Sequence, residues 1–463
     1  MNWNQKIKAG GRAVVMGMGI SGRAAVAFLL SKGAEVFVTD NRVLKNLPEK
    51  DQDYLLERNI AFEGGGHSKK FMSQGDFIVI SPGVPTDLPI LKELRDADIP
   101  VLGELALAAP YLTEPVVAVT GTNGKTTVTS LIGELLRASG KKVFVGGNIG
   151  TPILDYLRQG ERADVLVLEL SSFQLEAAGS FCPHIAVLLN ITPDHLDRHK
   201  NMVQYLAAKM KIFVHQKASD KAIICGDDPM CQQIKPLLTR QEVYCFGSRE
   251  SDCAAKGSGR EFGIIIEDRV DRYSLVDTAL DSHTGLLNSQ AAVLAASLLT
   301  CKQADIIKGL KTFRKANHRL QHVRTLDGVD YYNDSKATNT GAVLSALESF
   351  PGNIILLAGG RDKGEDYTVL RGLVQERVKV LILLGEAAEA IDEALGKTVT
   401  TLRASSMEAA VNLAAGIARS GDVVLLAPAC SSFDMFTSYG HRGEVFMTAV
   451  LKLQEEHREK AAR

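Results

Sequence analysis

Pro115-Val-Val-Ala-Val119, followed by Thr120-Gly-Thr-Asn-Gly-Lys-Thr-Thr127, decides how this chain is read. The short β-branched run predicts a strand, and the pattern from Lys125 predicts a helix to about Ser139 with Gly140 as its stop. The turn between them has what phosphate binding needs. Small residues let backbone N–H groups approach an anion, and the helix N-terminus adds positive potential. Gly121, Thr122, Asn123, Gly124, Lys125, Thr126 and Thr127 are therefore the candidate phosphate cradle, with Lys125 able to reach the β- and γ-phosphates and Thr126 able to ligate Mg²⁺. The strict pattern asks for glycine five residues before Gly124, where Val119 stands, so this is a relaxed P-loop. The plainer alternative is a capped turn with an exposed lysine.

The same strand–turn–helix grammar occurs twice more. Arg12–Met16 leads into Gly17-Met-Gly-Ile-Ser-Gly22 and an Ala-rich helix to Ser31, with Gly33 as its stop; the next strand, Glu35 to Thr39, ends on Asp40. Gly17, Gly19 and Gly22 match the dinucleotide fingerprint, with Asp40 as a ribose ligand. Alone this points to an NAD enzyme, yet the same turn serves any pyrophosphate, including that of a UDP-sugar, or packs a helix on a strand and nothing more. Arg42 is either a further phosphate contact or a solvated surface arginine. The third instance is Gly352-Asn-Ile-Ile-Leu-Leu357 into Ala358-Gly-Gly-Arg-Asp-Lys363, with further strands expected at Val378 to Leu384 and Asp422 to Ala427. Three α/β domains follow, with joints near Gly103 and Ala316: residues 1–103, 104–315 and 316–463.

A chain of 463 residues fits about two to four domains. Its 53 Lys+Arg against 54 Asp+Glu leave a formal charge of -1, so no global charge pattern calls for nucleic acid or an anionic membrane. The start lacks the apolar core of a secretory signal, and no apolar run approaches transmembrane length. Seven cysteines, an odd number without a CxxC pair, read as reduced thiols filling the core of a cytoplasmic protein.

Val165-Leu-Val-Leu-Glu169 ends a strongly apolar strand on a carboxylate, a costly arrangement unless the group is paired or holds a metal. If that strand neighbours the phosphate-turn strand, Glu169 is a Mg²⁺ ligand facing the phosphates; otherwise it is half of a structural ion pair. A further strand, Ala186 to Leu189, runs into Asn190-Ile-Thr-Pro-Asp194-His195-Leu-Asp197-Arg198-His199, and ligating side chains just past a strand's carboxyl end mark a ligand site. His195 is the metal-ligand candidate there; His199 reads as a surface histidine.

Taken together, Gly17–Gly22, Ser81-Pro-Gly-Val84, Thr120–Thr127, Gly147-Asn-Ile-Gly150, Leu168-Glu-Leu-Ser-Ser-Phe-Gln174 and Asp194-His-Leu-Asp197 resemble the Mur ligases nearly end to end. Asn333-Asp-Ser-Lys-Ala-Thr-Asn339 and Ala427-Pro-Ala-Cys-Ser-Ser-Phe-Asp434 resemble the D-glutamate-adding branch in particular. The resemblance implies an N-terminal Rossmann-like domain holding a UDP-sugar, a central P-loop ATPase with a mainly parallel sheet, and a C-terminal Rossmann-like domain that admits the amino acid. It also implies a monomer that uses ATP to join D-glutamate to UDP-N-acetylmuramoyl-L-alanine through an acyl phosphate. Thr126 and Glu169 would hold one of two Mg²⁺ ions and His195 would help hold the other. Lys209 matches a lysine that the family carbamylates with CO₂, although Ala207-Ala-Lys-Met210 by itself reads as helix surface. Lys125, His195 and Lys209 would be the catalytic set. Ser21, Asp40, Arg42, Asn148 and Ser171 would meet the UDP-sugar, and Asn288, Arg319 and Asp334 the ATP. Lys336, Thr338, Lys363, Ser432 and Tyr439 would cradle D-glutamate, whereas Lys363 read by itself is a solvated loop charge.

At the adenine site the family carries His-Asn-x-x-Asn, whereas Gly285-Leu-Leu287-Asn288-Ser-Gln-Ala291 keeps only the central asparagine. Other readings stay open: a sister amide ligase that adds L-alanine or extends folylpolyglutamate, an NAD-dependent oxidoreductase, or a nucleotide-driven switch. The Asn333–Asn339 segment argues against the sister ligases.

Overall fold

The computed structural model describes residues 3–248 and 253–461. Among them lie three mainly parallel sheets, the α/β organisation that repeated strand–turn–helix grammar dictates. The chain divides into two compact units: Met1–Ile191, Val203–Thr278 and Leu287–Thr312 in one, and Thr192–Met202, Ala279–Leu286 and Phe313–Arg463 in the other.

The first unit holds two sheets. Strands β1 (Arg12–Met16), β2 (Glu35–Asp40), β3 (Ala61–Gly64), β4 (Phe77–Ile80) and β5 (Val101–Gly103) are all parallel, in the order β3-β2-β1-β4-β5. The second sheet contains β6 (Val116–Thr120), β7 (Val143–Gly147), β8 (Val165–Glu169), β9 (Ile185–Leu188), β10 (Lys221–Cys225), β11 (Glu242–Gly247), β12 (Ala255–Ser258), β13 (Glu261–Ile266) and β14 (Arg269–Ser274). Its order is β14-β13-β12-β11-β10-β9-β6-β8-β7. Every residue of β6, β8 and β9 is buried, as parallel strands covered on both faces must be. Strand β6 pairs directly with β8, so the neighbour relation on which the Glu169 reading depended holds. The antiparallel β12–β14 extension was not expected from sequence: β12 and β14 are short, partly exposed and carry no apolar run, and the run Ile264–Ile266 that ends β13 is itself partly exposed.

The second unit carries β15 (Gln321–Leu326), β16 (Val329–Asn333), β17 (Ile354–Gly359), β18 (Val378–Leu384), β19 (Thr400–Arg403) and β20 (Val423–Leu426), in the order β15-β16-β20-β17-β18-β19. Only β15 runs antiparallel to its neighbour. Alternation along β17 sends Ile354, Leu356 and Ala358 to one core and Ile355 and Leu357 to another, so both faces of this sheet are covered.

Two sequence expectations are corrected. His199 is not a surface histidine: it is 2% exposed. Lys209 lies in the helix Met202–Met210 but not on its surface, being 1% exposed. In both cases the short segment lacks a strong apolar stripe, so local pattern could not tell which face is covered. All seven cysteines are free, and six are buried as core filler.

Candidate active site

The phosphate turn leaves β6 and enters the helix Lys125–Ala138 through Gly124, which sits at φ +85. Only glycine suits that conformation and that spot, since a Cβ there would lie 2.6 Å from Asn288 Oδ1. Asn288 is thus held against the turn. Asn190, given no role from sequence, pins it from the other side: Oδ1 accepts from Asn123 N at 2.8 Å, Nδ2 donates to Asn123 O at 3.1 Å, and its carbonyl accepts from Thr122 N at 3.0 Å. Its place just past the end of β9 was the available signal. Lys125 Nζ folds back onto Gly121 O at 2.8 Å and Thr122 O at 2.6 Å. Lys209 Nζ donates to the same Gly121 carbonyl at 2.7 Å and lies over the Tyr205 ring. Two lysines therefore converge on one turn.

Glu169, 2% exposed at the end of β8, accepts from Asn148 Nδ2 on Oε1 at 2.8 Å. Its Oε2 is buried and has no hydrogen-bond partner among the described residues. A carboxylate oxygen in that state is expensive and fits a cation. No three His, Cys, Asp or Glu side chains among the described residues form a ready cage.

Asn148 also lines a cavity of about 560 Å³ with Gly17, Gly19, Ser21, Asp40, Arg42, His67 and Gln174. The volume suits a small-molecule ligand. Asp40 Oδ2 accepts from Met18 N at 2.7 Å, and both Asp40 oxygens accept from the Arg42 guanidinium at 2.9 Å. Burial alone would raise this carboxyl, but the bonds from Arg42 and the Met18 amide outweigh it and hold the pKa at about 2. The acid expected as a ribose ligand lines the cavity and also braces the turn through Met18 and Arg42. Ser21 Oγ donates to Glu104 at 2.7 Å; Glu104, missed from sequence, is 3% exposed and its pKa is raised by burial. Ser171 caps the helix Ser172–Glu176 in a reciprocal box with Gln174, and Gln174 rather than Ser171 is among the cavity-lining residues.

In the second unit, Asp194 accepts from Lys363 Nζ at 3.0 Å and Asn339 Nδ2 at 3.1 Å. Lys363 is thus paired, with a side chain 13% exposed, and is not the solvated charge its loop suggested. His195, at φ +56, has Nε2 3.6 Å from Asp194 Oδ2. Lys336 Nζ stands 3.8 Å over the Tyr439 ring; Ser432 is buried and Thr338 half-buried. Burial pushes Asp334 up to about 6 against the opposing charges of Arg319 and Lys315. Arg442, unnoticed in the sequence, is 1% exposed and donates to Ser335 O, Ser335 Oγ, Cys430 O and Ser431 O. It ties the two segments that carry Lys336, Thr338 and Ser432 to one anchor.

Residues 11–103, 119–295 and 318–430 match family models described as the Mur ligase MurD-like N-terminal domain, the Mur ligase middle domain and the Mur ligase glutamate ligase domain. A relative from Desulfotalea psychrophila, named UDP-N-acetylmuramoylalanine--D-glutamate ligase, is 50% identical over 98% of both chains. This chain belongs to the Mur ligase family. A protein of the same name from Desulfosudis oleivorans is 43% identical, over 96% of this chain and 97% of its own. Among solved structures, a pseudomurein peptide ligase type C from Methanothermus fervidus matches at TM-score 0.62 and 19% identity, over 96% of this chain and 100% of its own. A MurF ligase from Thermotoga maritima in complex with ADP matches at TM-score 0.61 and 20% identity, over 97% and 96%. These two show that the Mur ligase fold is shared. Among the described residues no helix is long and apolar enough to cross a membrane.

Proposed function

We propose that this Mur ligase joins D-glutamate to the alanyl carboxylate of UDP-N-acetylmuramoyl-L-alanine, using ATP, as a cytoplasmic monomer in peptidoglycan precursor synthesis. The observation that carries the reading is the phosphate turn Gly121–Thr127 beside the orphaned Glu169 Oε2, in a chain 50% identical to a ligase of that name. We assign domains to residues 1–103, 104–315 and 316–463, one around each sheet.

A carboxylate is a poor electrophile at neutral pH. Its oxygen attacks the γ-phosphorus, a C–O–P linkage forms, and ADP leaves. The amine of D-glutamate then attacks the carbonyl carbon, the C–O bond breaks with the oxygen departing on phosphate, and the amine loses a proton as the amide forms. The chain's part is to bind, align and neutralise. Lys125 leaves the Gly121 and Thr122 carbonyls to meet the phosphates, and amides of the turn cradle them with Gly121, Thr122, Asn123, Gly124, Thr126 and Thr127. Thr126 and Glu169 would hold Mg²⁺, with His195 at a second ion; the metal supplies charge neutralisation at the transferring phosphoryl group. The Lys209 amine, once deprotonated, would add to CO₂ and release a second proton to form an anionic carbamate, an oxygen ligand that suits a hard cation. Asn148 couples the UDP-sugar cavity to Glu169, and Ser21, Arg42 and Gln174 line that cavity. Asn288, Arg319 and Asp334 serve ATP. Lys336, Thr338, Lys363, Ser432 and Tyr439 receive the amino acid, whose carboxylate replaces Asp194 as the partner of Lys363.

The test is phosphate release from ATP with Mg²⁺ and UDP-N-acetylmuramoyl-L-alanine, compared with D-glutamate, L-glutamate or no amino acid. Release that requires the D-isomer, with a product heavier by one glutamyl unit, is the expected result. Release indifferent to the amino acid would point to a nucleotide switch, and a product bearing another amino acid to a sister ligase.

A further inference from the structure

We propose that His67 reads the uridine of the nucleotide-sugar, accepting through Nε2 a hydrogen bond from a nucleotide donor, either the uracil imide N–H or a ribose hydroxyl. This rests on the UDP-sugar reading of the glycine-turn cavity. His67 lines that cavity beside Asp40, Asn41 and Arg42, just past the end of β3. Gly65 at φ +83 and Gly66 at φ +151 form the turn that presents it.

The tautomer follows from counting protons. Thr39, fully buried, has one hydroxyl proton and donates it to Gly66 O at 3.0 Å, because a carbonyl can only accept. The same hydroxyl oxygen lies 2.8 Å from His67 Nδ1 and, its proton spent, accepts there. Nδ1 therefore carries the ring proton. In a neutral imidazole the other nitrogen is then a lone-pair acceptor. Burial lowers the ring's pKa more than Asp40 and Glu63 raise it, which keeps the neutral form in place. Nε2 has no protein partner among the described residues.

An acceptor here has a narrow use. It offers a phosphate nothing, since pyrophosphate oxygens are themselves acceptors. It suits uridine, whose imide and ribose hydroxyls donate. The other strong acceptor of this wall, Asp40, already receives Met18 N, Arg42 N and the Arg42 guanidinium. His67 supplies what Asp40 has committed elsewhere.

Calorimetric titration of the full chain with UDP tests this. His67→Phe keeps a ring without an acceptor and should bind UDP about 10-fold more weakly, the loss expected for one buried hydrogen bond. His67→Gln, which restores a carbonyl acceptor, should recover part of the affinity and shows that the loss is not one of folding. With the wild-type chain, either 3-methyl-UDP or 2′-deoxy-UDP should show the same 10-fold loss, and that analogue should bind His67→Phe no worse than UDP does. The analogue affected identifies the donor. UDP binding equally well to wild type and His67→Phe, or both analogues losing as much in the variant as in wild type, would overturn the proposal. No binding of UDP to the wild type would overturn the cavity's assignment itself, and this proposal with it.

Discussion

The two glycine turns of the first unit, Gly17–Gly22 and Gly121–Thr127, arise from the same strand–turn–helix grammar but carry different charged groups. At the first turn a carboxylate, Asp40, takes the Met18 amide and is itself paired with the Arg42 guanidinium. At the second, the neutral carboxamide of Asn190 does the corresponding work on Asn123, and two lysine ammoniums rest on the Gly121 carbonyl. One turn carries a carboxylate–guanidinium pair and opens on a roomy cavity; the other gathers lysine side chains. A shared glycine pattern therefore sets backbone geometry alone, and the side chains bonded to the turn decide what it receives.

The largest effect should come from Lys125→Ala, which removes the ammonium held on the Gly121 and Thr122 carbonyls of the second turn. Product formation should fall about 10³-fold while UDP affinity at the first turn is unchanged. Near-normal turnover would remove the phosphate role. Lys209→Ala should cost on the order of 10²-fold and recover in part with a small added carboxylic acid, measured as rate against acid concentration. A fully active variant with nothing to rescue would retire the carbamate.

Gly22→Ala acts on the first turn. Its Cβ would stand 1.8 Å from Gly17 O, so the first turn must shift, lowering the melting temperature by several degrees and weakening UDP binding. At Gly19 a Cβ meets nothing within 4 Å, and Gly19→Ala should change stability by less than about 0.5 kcal/mol. Equal losses from the two variants would contradict the packing difference. The smallest effect is electrostatic. Asp40 has its folded pKa depressed to about 2, so its stabilisation is present above the ordinary carboxylate range and lost as pH falls through 2. Asp40→Asn should cost about 1 kcal/mol at pH 7, a modest figure because Arg42 is partly exposed, with the cost shrinking as urea melts are moved from pH 4 toward pH 2.

Much of this was legible in the sequence because apolar runs and glycine stops are local signals. Strands β1, β8 and β18 fall on the residues expected, and the helix after the phosphate turn ends at Ala138, one residue from expectation. Glu169 was readable as well, because a carboxylate ending a wholly apolar strand conflicts with its surroundings wherever the strand lies. The burial of Lys209 and His199 was not, since it depends on what covers a helix from elsewhere in the chain. Nor were the partners of Asn190, His67 and Arg442, each of which acts through main-chain or side-chain groups far from its own motif. The second unit shows the same limit: Lys363 looks like loop charge until Asp194, 169 positions away, is placed beside it.

A carboxylate activated by phosphorylation at the second turn must give one of its oxygens to phosphate. Labelling both carboxylate oxygens of UDP-N-acetylmuramoyl-L-alanine with ¹⁸O and weighing the phosphate released during D-glutamate addition reads this transfer. One ¹⁸O in each phosphate and one in the new amide is the predicted result; amide formed with phosphate free of label, the second heavy atom having left as water, would contradict it.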